Sequence, residues 1–309
     1  MKRAVACLSG GMDSTGLLMR LLAEDYFVTG ISFDYGQKHK LELERLRQNL
    51  DYLDVMSLRS GIENLKVEHH VVSLRADGLP LGTILHSALC TEGWRPPEGH
   101  YEADNMKETV VPNRNAIFSG IAYAIALSIA TKSRESVRLA LGVHSGDHEI
   151  YPDCRPEFYD KLLAAFQSGN WDSERVELFL PYLDGDKETI LKDADAAIDK
   201  LNDVWTQGAS DAERAANRIE FDRIFANTNT SYSPDSQGRA SGKTGADVER
   251  ILAFHAIGRR DPIEYVDGWD SALANALELQ EKNKCAHVWE EMYNGDKICF
   301  ECDELKPNE

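Results

Sequence analysis

The chain has 309 residues, 42 % of them hydrophobic, and a formal net charge of −18 at pH 7. The length suits one large α/β domain with an appendage, and the acidity argues against a surface that binds nucleic acid non-specifically. The most apolar run, residues 116–130, is short for a membrane span and interrupted by Ser119, Gly120 and Ser128, so it predicts a buried helix. Met1-Lys2-Arg3 leads straight into a strand candidate without a signal-peptide core. Cys7, Cys90 and Cys154 are scattered and Cys285, Cys299 and Cys302 crowd the C-terminus, a distribution that suits a reducing cytoplasm.

In chain order, residues 3–8 read as a buried strand, and Leu17, Leu18, Leu21 and Leu22 recur at helical spacing just after it. Between them lies Leu8-Ser9-Gly10-Gly11-Met12-Asp13-Ser14. Gly10 and Gly11 allow a tight turn and close approach of an anion to main-chain N–H groups, and the following helix points its positive end at the same spot. Ser9 and Ser14 add hydroxyls, so this stretch predicts a phosphate or pyrophosphate cradle. Residues 27–35 predict a second strand, 40–58 a helix and 66–74 a third strand. The alternation implies right-handed crossovers and a parallel sheet with helices on both faces, whose ligands bind at the C-terminal strand ends. Ser9 and Asp34 both fall at such ends.

Residues 75–109, with Pro80, Pro96 and Pro97, show little periodicity and predict a long mobile loop or lid. Asn113 or Asn115 is the expected cap of the apolar helix, and Arg114 beside them is a candidate anion partner. Residues 137–143 predict a fourth strand ending in polar His144-Ser145-Gly146-Asp147, 157–167 a helix opened by Pro156, and 176–180 a fifth strand. Lys187 starts the next helix, where it opposes the dipole unless a phosphate is near. Residues 206–218 read as an insertion or surface helix. Ser241-Gly242-Lys243-Thr244 looks like the end of a Walker A loop, but Gln237 stands where its first glycine belongs and no strand precedes it. Residues 247–257 predict a helix, and 272–282 a helical stalk. In the tail, Cys285, His287, Cys299 and Cys302 flank an Asn294-Gly295 hairpin signal, a pattern that suits one tetrahedral structural zinc in a ribbon-like module. The expected organisation is a domain at 1–270 followed by the stalk and zinc tail at 271–309.

The Ser-Gly-Gly-x-Asp-Ser string after a strand resembles the PP-loop of ATP pyrophosphatases, with an adenine nucleotide alpha hydrolase-like fold. Taken with Phe33-Asp34-Tyr35-Gly36-Gln37-Lys38-His39, Val111-Pro112-Asn113-Arg114-Asn115, Tyr151-Pro152-Asp153-Cys154-Arg155 and Pro181 with Lys187, the chain resembles the 7-cyano-7-deazaguanine synthases of queuosine biosynthesis over about residues 3–260. The resemblance implies that ATP adenylates a deazaguanine carboxylate, that ammonia converts the adenylate to an amide, and that a second adenylation gives the nitrile. It assigns Ser9, Asp13, Ser14 and Lys187 to catalysis, the loop from Leu8 to Ser14 with Arg114 to ATP, Mg2+ to the phosphates beside Asp13, and Gln37, Tyr151, Asp153 and Cys154 to the substrate. An amide-forming ligase that stops at 7-amido-7-deazaguanine, another PP-loop enzyme such as a tRNA-modifying thiolase, and a non-catalytic binding module are the competing readings. The expected partners are the small substrate and ammonia, with no membrane and no direct nucleic-acid contact, and a homodimer is left open.

The departure lies between residues 231 and 250. The family carries zinc-binding cysteines where this chain has Ser231, Ser241, Thr244 and Asp247, while Arg250 is retained. Hydroxyls do not replace thiolates as zinc ligands, so the internal zinc is expected to be missing and loop packing to hold this region instead.

Overall fold

In the computed structural model the described residues are 2–37, 41–76, 79–80, 87–91, 93–148, 150–205, 210, 212, 218–283, 289–291, 297–299 and 305–306. Strands β1 (Arg3–Cys7), β2 (Phe27–Asp34), β3 (Glu68–Ser73), β6 (Val137–Ala140) and β7 (Val176–Phe179) form one parallel sheet in the order β3-β2-β1-β6-β7, and Arg75–Ala76 (β4) pairs with Leu79–Pro80 (β5) in a separate hairpin. β1 lies at the centre, so its short apolar sequence is covered on both faces. Ala4 and Ala6 face one layer and Val5 the other, as the period of two requires.

The first layer holds helices α1 (Met12–Ala23), α2 (Leu41–Ser60), α5 (Lys187–Trp205), α6 (Phe221–Ala226), α7 (Gly245–Ala256) and α8 (Trp269–Asn283). The second holds α3 (Arg114–Ser133) and α4 (Pro156–Gly169). α3 is longer than its apolar run. At 20 residues it is long and apolar enough to cross a membrane, a correction to the sequence reading, but Ala122, Ala126 and Ala130 pack against Val5, Val137 and Leu139 of the sheet. Small residues on that face let the helix lie close to the strands.

Three further expectations change. α3 is not capped by an asparagine side chain: Asn113 sits in the left-handed region at φ 56° without a side-chain cap bond, and the Asp153 carboxylate accepts the Asn115 N–H at 3.1 Å. The segment expected to be one loop at 75–109 contains the β4–β5 hairpin and a 3-10 helix at Asp104–Thr109, with Ser87, Ala88, Leu89, Met106 and Thr109 buried. The helix expected as a stalk is packed on one side, with Trp269, Ala272 and Ala276 of α8 in the main core beside α7. Beyond it, Trp289–Glu291 (β8), Lys297–Cys299 (β9) and Leu305–Lys306 (β10) form a small antiparallel sheet. Cys285, His287 and Cys302 lie outside the described residues, as does most of 206–218.

One buried polar knot fixes α7. Arg250 and Asp261 are fully buried and paired at 2.6 and 2.9 Å, and the guanidinium also donates to Thr228, Thr230 and the Phe225 carbonyl. Every guanidinium nitrogen is thereby satisfied, the condition under which a buried charge is tolerated.

Candidate active site

The order of strand addition reverses between β1 and β6: the sheet grows toward β2 and β3 on one side of β1 and toward β6 and β7 on the other. The crevice at the C-terminal ends of such a pair is where open α/β sheets take ligands. A cavity of about 260 Å³ opens there.

Its floor is the glycine loop. Gly10 adopts φ +90°, and a Cβ built on it would stand 1.9 Å from the Glu42 carbonyl oxygen, so only glycine fits. Ser14 Oγ accepts the Ser9 N–H at 3.1 Å, and Ser9 Oγ accepts the Gly11 N–H at 3.1 Å. These bonds stiffen the turn that aims the first N–H groups of α1 into the cavity. Asp13, in the first turn, has a buried Oδ1 without a protein partner.

One wall is charged. Lys187, 5 % exposed, places Nζ 3.1 Å from Asp13 Oδ2, 2.8 Å from Glu249 Oε2 and 2.7 Å from His144 Nε2. Burial disfavours the ammonium, but Asp13 and Glu249 outweigh it and hold Lys187 above its ordinary pKa, hence protonated. Asp147 lies 3.6 Å from His144 Nε2. Burial pushes its carboxyl up, yet the cationic groups around it, Lys187 and Arg114 among them, keep it below the usual range. Glu42 also lines the cavity, and burial pushes it up to about 8 despite Arg114.

The opposite wall is aromatic. Arg114 lies over the Tyr151 ring at 5.9 Å and bonds the Tyr35 hydroxyl, while Tyr151 hydrogen bonds Thr109 and Tyr232. A guanidinium among phenols and the flat face of a tyrosine together suit a planar, polar ring.

The fold thus brings Leu8, Ser9, Gly11, Asp13, Ser14, Gln37, Arg114, Tyr151, Cys154 and Lys187 to one cavity. Gly10 and Met12 shape the loop from behind; Met12 is fully buried in the core. Asp153 is not at the cavity surface: its carboxylate caps α3 and its carbonyl accepts from Asn115 Nδ2. The Gln37 amide closes its own turn, accepting the Tyr35 N–H and donating to the Phe33 carbonyl, both at 3.0 Å. Cys154 accepts from Asn115 Nδ2 at 3.3 Å, and burial drives its thiol far above the ordinary value, so it is no nucleophile. The sequence reading gave no role to Glu42 or Glu249 and noted His144 and Asp147 only as polar residues at a strand end. The polar string after β6 was a signal for two of them; a glutamate inside a helix carries none.

A family model described as queuosine biosynthesis protein QueC matches residues 3–258. 7-Cyano-7-deazaguanine synthase 1 of Colwellia psychrerythraea is 36 % identical over 264 residues, spanning 85 % of this chain and 99 % of that protein. The chain belongs to the QueC family. Marinomonas sp. has a 7-cyano-7-deazaguanine synthase at 36 % identity over 85 % of this chain and 98 % of that protein, and Caldicellulosiruptor saccharolyticus one at 37 %, over 85 % and 95 %.

Within the QueC frame the positions expected to have lost their zinc thiolates converge in space. Asp247 Oδ2 accepts from Ser231 Oγ at 3.2 Å, Ser241 Oγ at 2.6 Å and the Thr244 N–H at 3.3 Å, and Thr244 Oγ1 accepts the Asp247 N–H in return. This is a capping box at the start of α7 extended by two hydroxyls. Three hydroxyls and one carboxylate, already bonded to each other, do not fit a zinc ion. The Ser241–Thr244 stretch serves this cluster, and Lys243 pairs with Asp267 at 3.3 Å.

Proposed function

We propose that this chain is a 7-cyano-7-deazaguanine synthase, an ATP-dependent ligase that turns 7-carboxy-7-deazaguanine and ammonia into the nitrile. The observation that carries the reading is the joining, in one cavity of a QueC-family chain, of the glycine loop with Lys187 on one side and the Arg114–Tyr151 pair on the other. A carboxylate is a poor electrophile, so its oxygen attacks the α-phosphorus of ATP and pyrophosphate leaves. The α1 N-terminus, Ser9 and Ser14 receive the phosphates, and Lys187 offsets charge on the departing pyrophosphate. Ammonia then displaces AMP to give the amide, and adenylation of the amide oxygen followed by loss of AMP gives the nitrile.

The cavity carries Asp13, Asp147 and Glu249 against Arg114 and Lys187, with Glu42 pushed toward its neutral form, an acidic setting for a polyanionic nucleotide. With the unpartnered Asp13 Oδ1, it suits Mg2+: Asp13 would hold the ion, which supplies positive charge to the phosphates. Tyr151 stacks on the deazaguanine ring. Asp147, facing the cavity, is a better partner for its N–H edge than Asp153. Tail zinc on Cys285, His287, Cys299 and Cys302 belongs to the same proposal as a purely structural element, and the setting is cytoplasmic.

Early release of the amide is the second reading. It requires a loose wall at 231–247, and the Asp247 cluster speaks against one. Incubation with 7-carboxy-7-deazaguanine, ammonia and excess ATP, followed by mass spectrometry, tests both. Nitrile is expected. Amide that accumulates and is not consumed when added alone establishes the second reading, and no substrate-dependent pyrophosphate release rejects both.

A further inference from the structure

Lys187 has three N–H donors and no acceptor. Asp13 and Glu249 take two of them, tying the ammonium to α1 and α7. The third points to His144 Nε2 at 2.7 Å. A donor-only group at that distance requires Nε2 to accept, so the single proton of the neutral ring sits on Nδ1. Nδ1 is buried without a hydrogen-bond partner, and its nearest carboxylate oxygen is Glu249 Oε1 at 3.6 Å. The ring is 1 % exposed, and a Cβ on Gly146 would stand 3.1 Å from Nδ1 and 2.4 Å from Glu249 Oε1, so a glycine there leaves room for the ring and the carboxylate.

His144, Asp147 and Glu249 are also close enough together to hold a metal ion. The Lys187 ammonium, within hydrogen-bond distance of two of these three groups, already supplies a cation there, and a divalent ion beside it would face like charge at contact distance.

We propose that His144 is a positioning residue for Lys187. In its Nδ1–H tautomer it accepts the third N–H of the ammonium, so Lys187 is held by three partners beside the Asp13 turn before ATP arrives. This rests on the reading of Lys187 as the phosphate cation.

The test joins a spectroscopic readout with kinetics on the full chain. Long-range 1H–15N correlation of 15N-histidine-labelled protein, with the His144 signals assigned by their loss in His144→Gln, reads the tautomer without any substrate. A neutral ring protonated on Nδ1 at about pH 7.5 is expected; an Nε2–H ring or an imidazolium overturns the proposal. In substrate-dependent pyrophosphate release, His144→Leu should lower kcat about tenfold while KM for ATP changes less than about twofold. His144→Gln, whose amide oxygen can accept from Lys187, should recover most of the loss. A folded leucine variant with wild-type kcat, or a folded glutamine variant no better than leucine, overturns the proposal. If the leucine variant fails to fold, the glutamine variant and the tautomer decide. Wild-type protein that turns over no substrate rejects the functional reading, and the ring tautomer then decides the Lys187–His144 pairing alone.

Discussion

Replacing Asp247 with alanine should destabilise the protein by about 3 kcal/mol. The carboxylate accepts two hydroxyls and one backbone N–H on Oδ2. Bonds to a charged acceptor contribute about 1.5–3 kcal/mol each, but three donors sharing one oxygen do not add fully, and about 4 kcal/mol is a reasonable sum. The negative charge in the first turn of α7 contributes up to about 1 kcal/mol. Against this, Oδ1 is buried without a protein partner, which costs about 1–3 kcal/mol in the wild type and disappears in the variant. Asp247→Asn keeps the shape and one acceptor and should lose about half as much. Urea unfolding followed by circular dichroism measures both, with zinc content determined on the same samples. A loss below about 1 kcal/mol for alanine would show that the cluster does not hold this wall, and zinc bound near Ser231 would show that hydroxyls and carboxylate do ligate it.

Gly10→Ala should cost more than about 3 kcal/mol or prevent folding, since φ +90° and a 1.9 Å approach to the Glu42 carbonyl leave no place for a methyl group; an unchanged melting temperature refutes the geometry. Burial raises the Glu42 carboxyl from 4.5 to about 8, so the folded state holds that proton more tightly than the unfolded chain does. Its contribution to stability is full below about pH 4.5 and lost as pH rises through about 8. Glu42→Gln should therefore gain on the wild type across that window, and a constant difference between about pH 5 and 9 contradicts this. Asp13→Ala and Ser14→Ala should each lower pyrophosphate release at least about a hundredfold without changing the circular dichroism spectrum, and a folded, fully active double variant removes the loop assignment. Metal analysis should find one zinc per chain, lost in Cys299→Ser/Cys302→Ser, with the unfolding midpoint of the main body unmoved by chelator; a shifted midpoint refutes the tail assignment.

Much of this was legible in the residue pattern. The glycine loop, the parallel sheet and the clustering of Lys187 with Asp13 follow from strands alternating with helices, because strand ends and helix starts are where chemistry collects. Glu249 was not legible. It sits on α7 between Val248 and Arg250, all three buried, and nothing local distinguishes a glutamate facing a distant lysine from one facing water. Asp153 misled for a related reason: a carboxylate in a proline-stiffened turn beside the site reads as a ligand group, yet the end of α3 takes it. The hub role of Asp247 was hidden too. The sequence showed which thiolates were missing, while the convergence of their replacements on one oxygen is a property of three loops meeting in space.

The charged wall draws Asp13, His144, Lys187 and Glu249 from four segments spread over most of the chain. Glu249 is the last to be synthesised. During translation, which proceeds at roughly 5–20 residues per second, the glycine loop emerges early but lacks both its cation and the carboxylate that anchors that cation. A nascent or truncated chain without α7 therefore lacks the carboxylate that pairs with Lys187, so the charged wall is assembled only once the whole domain has been synthesised.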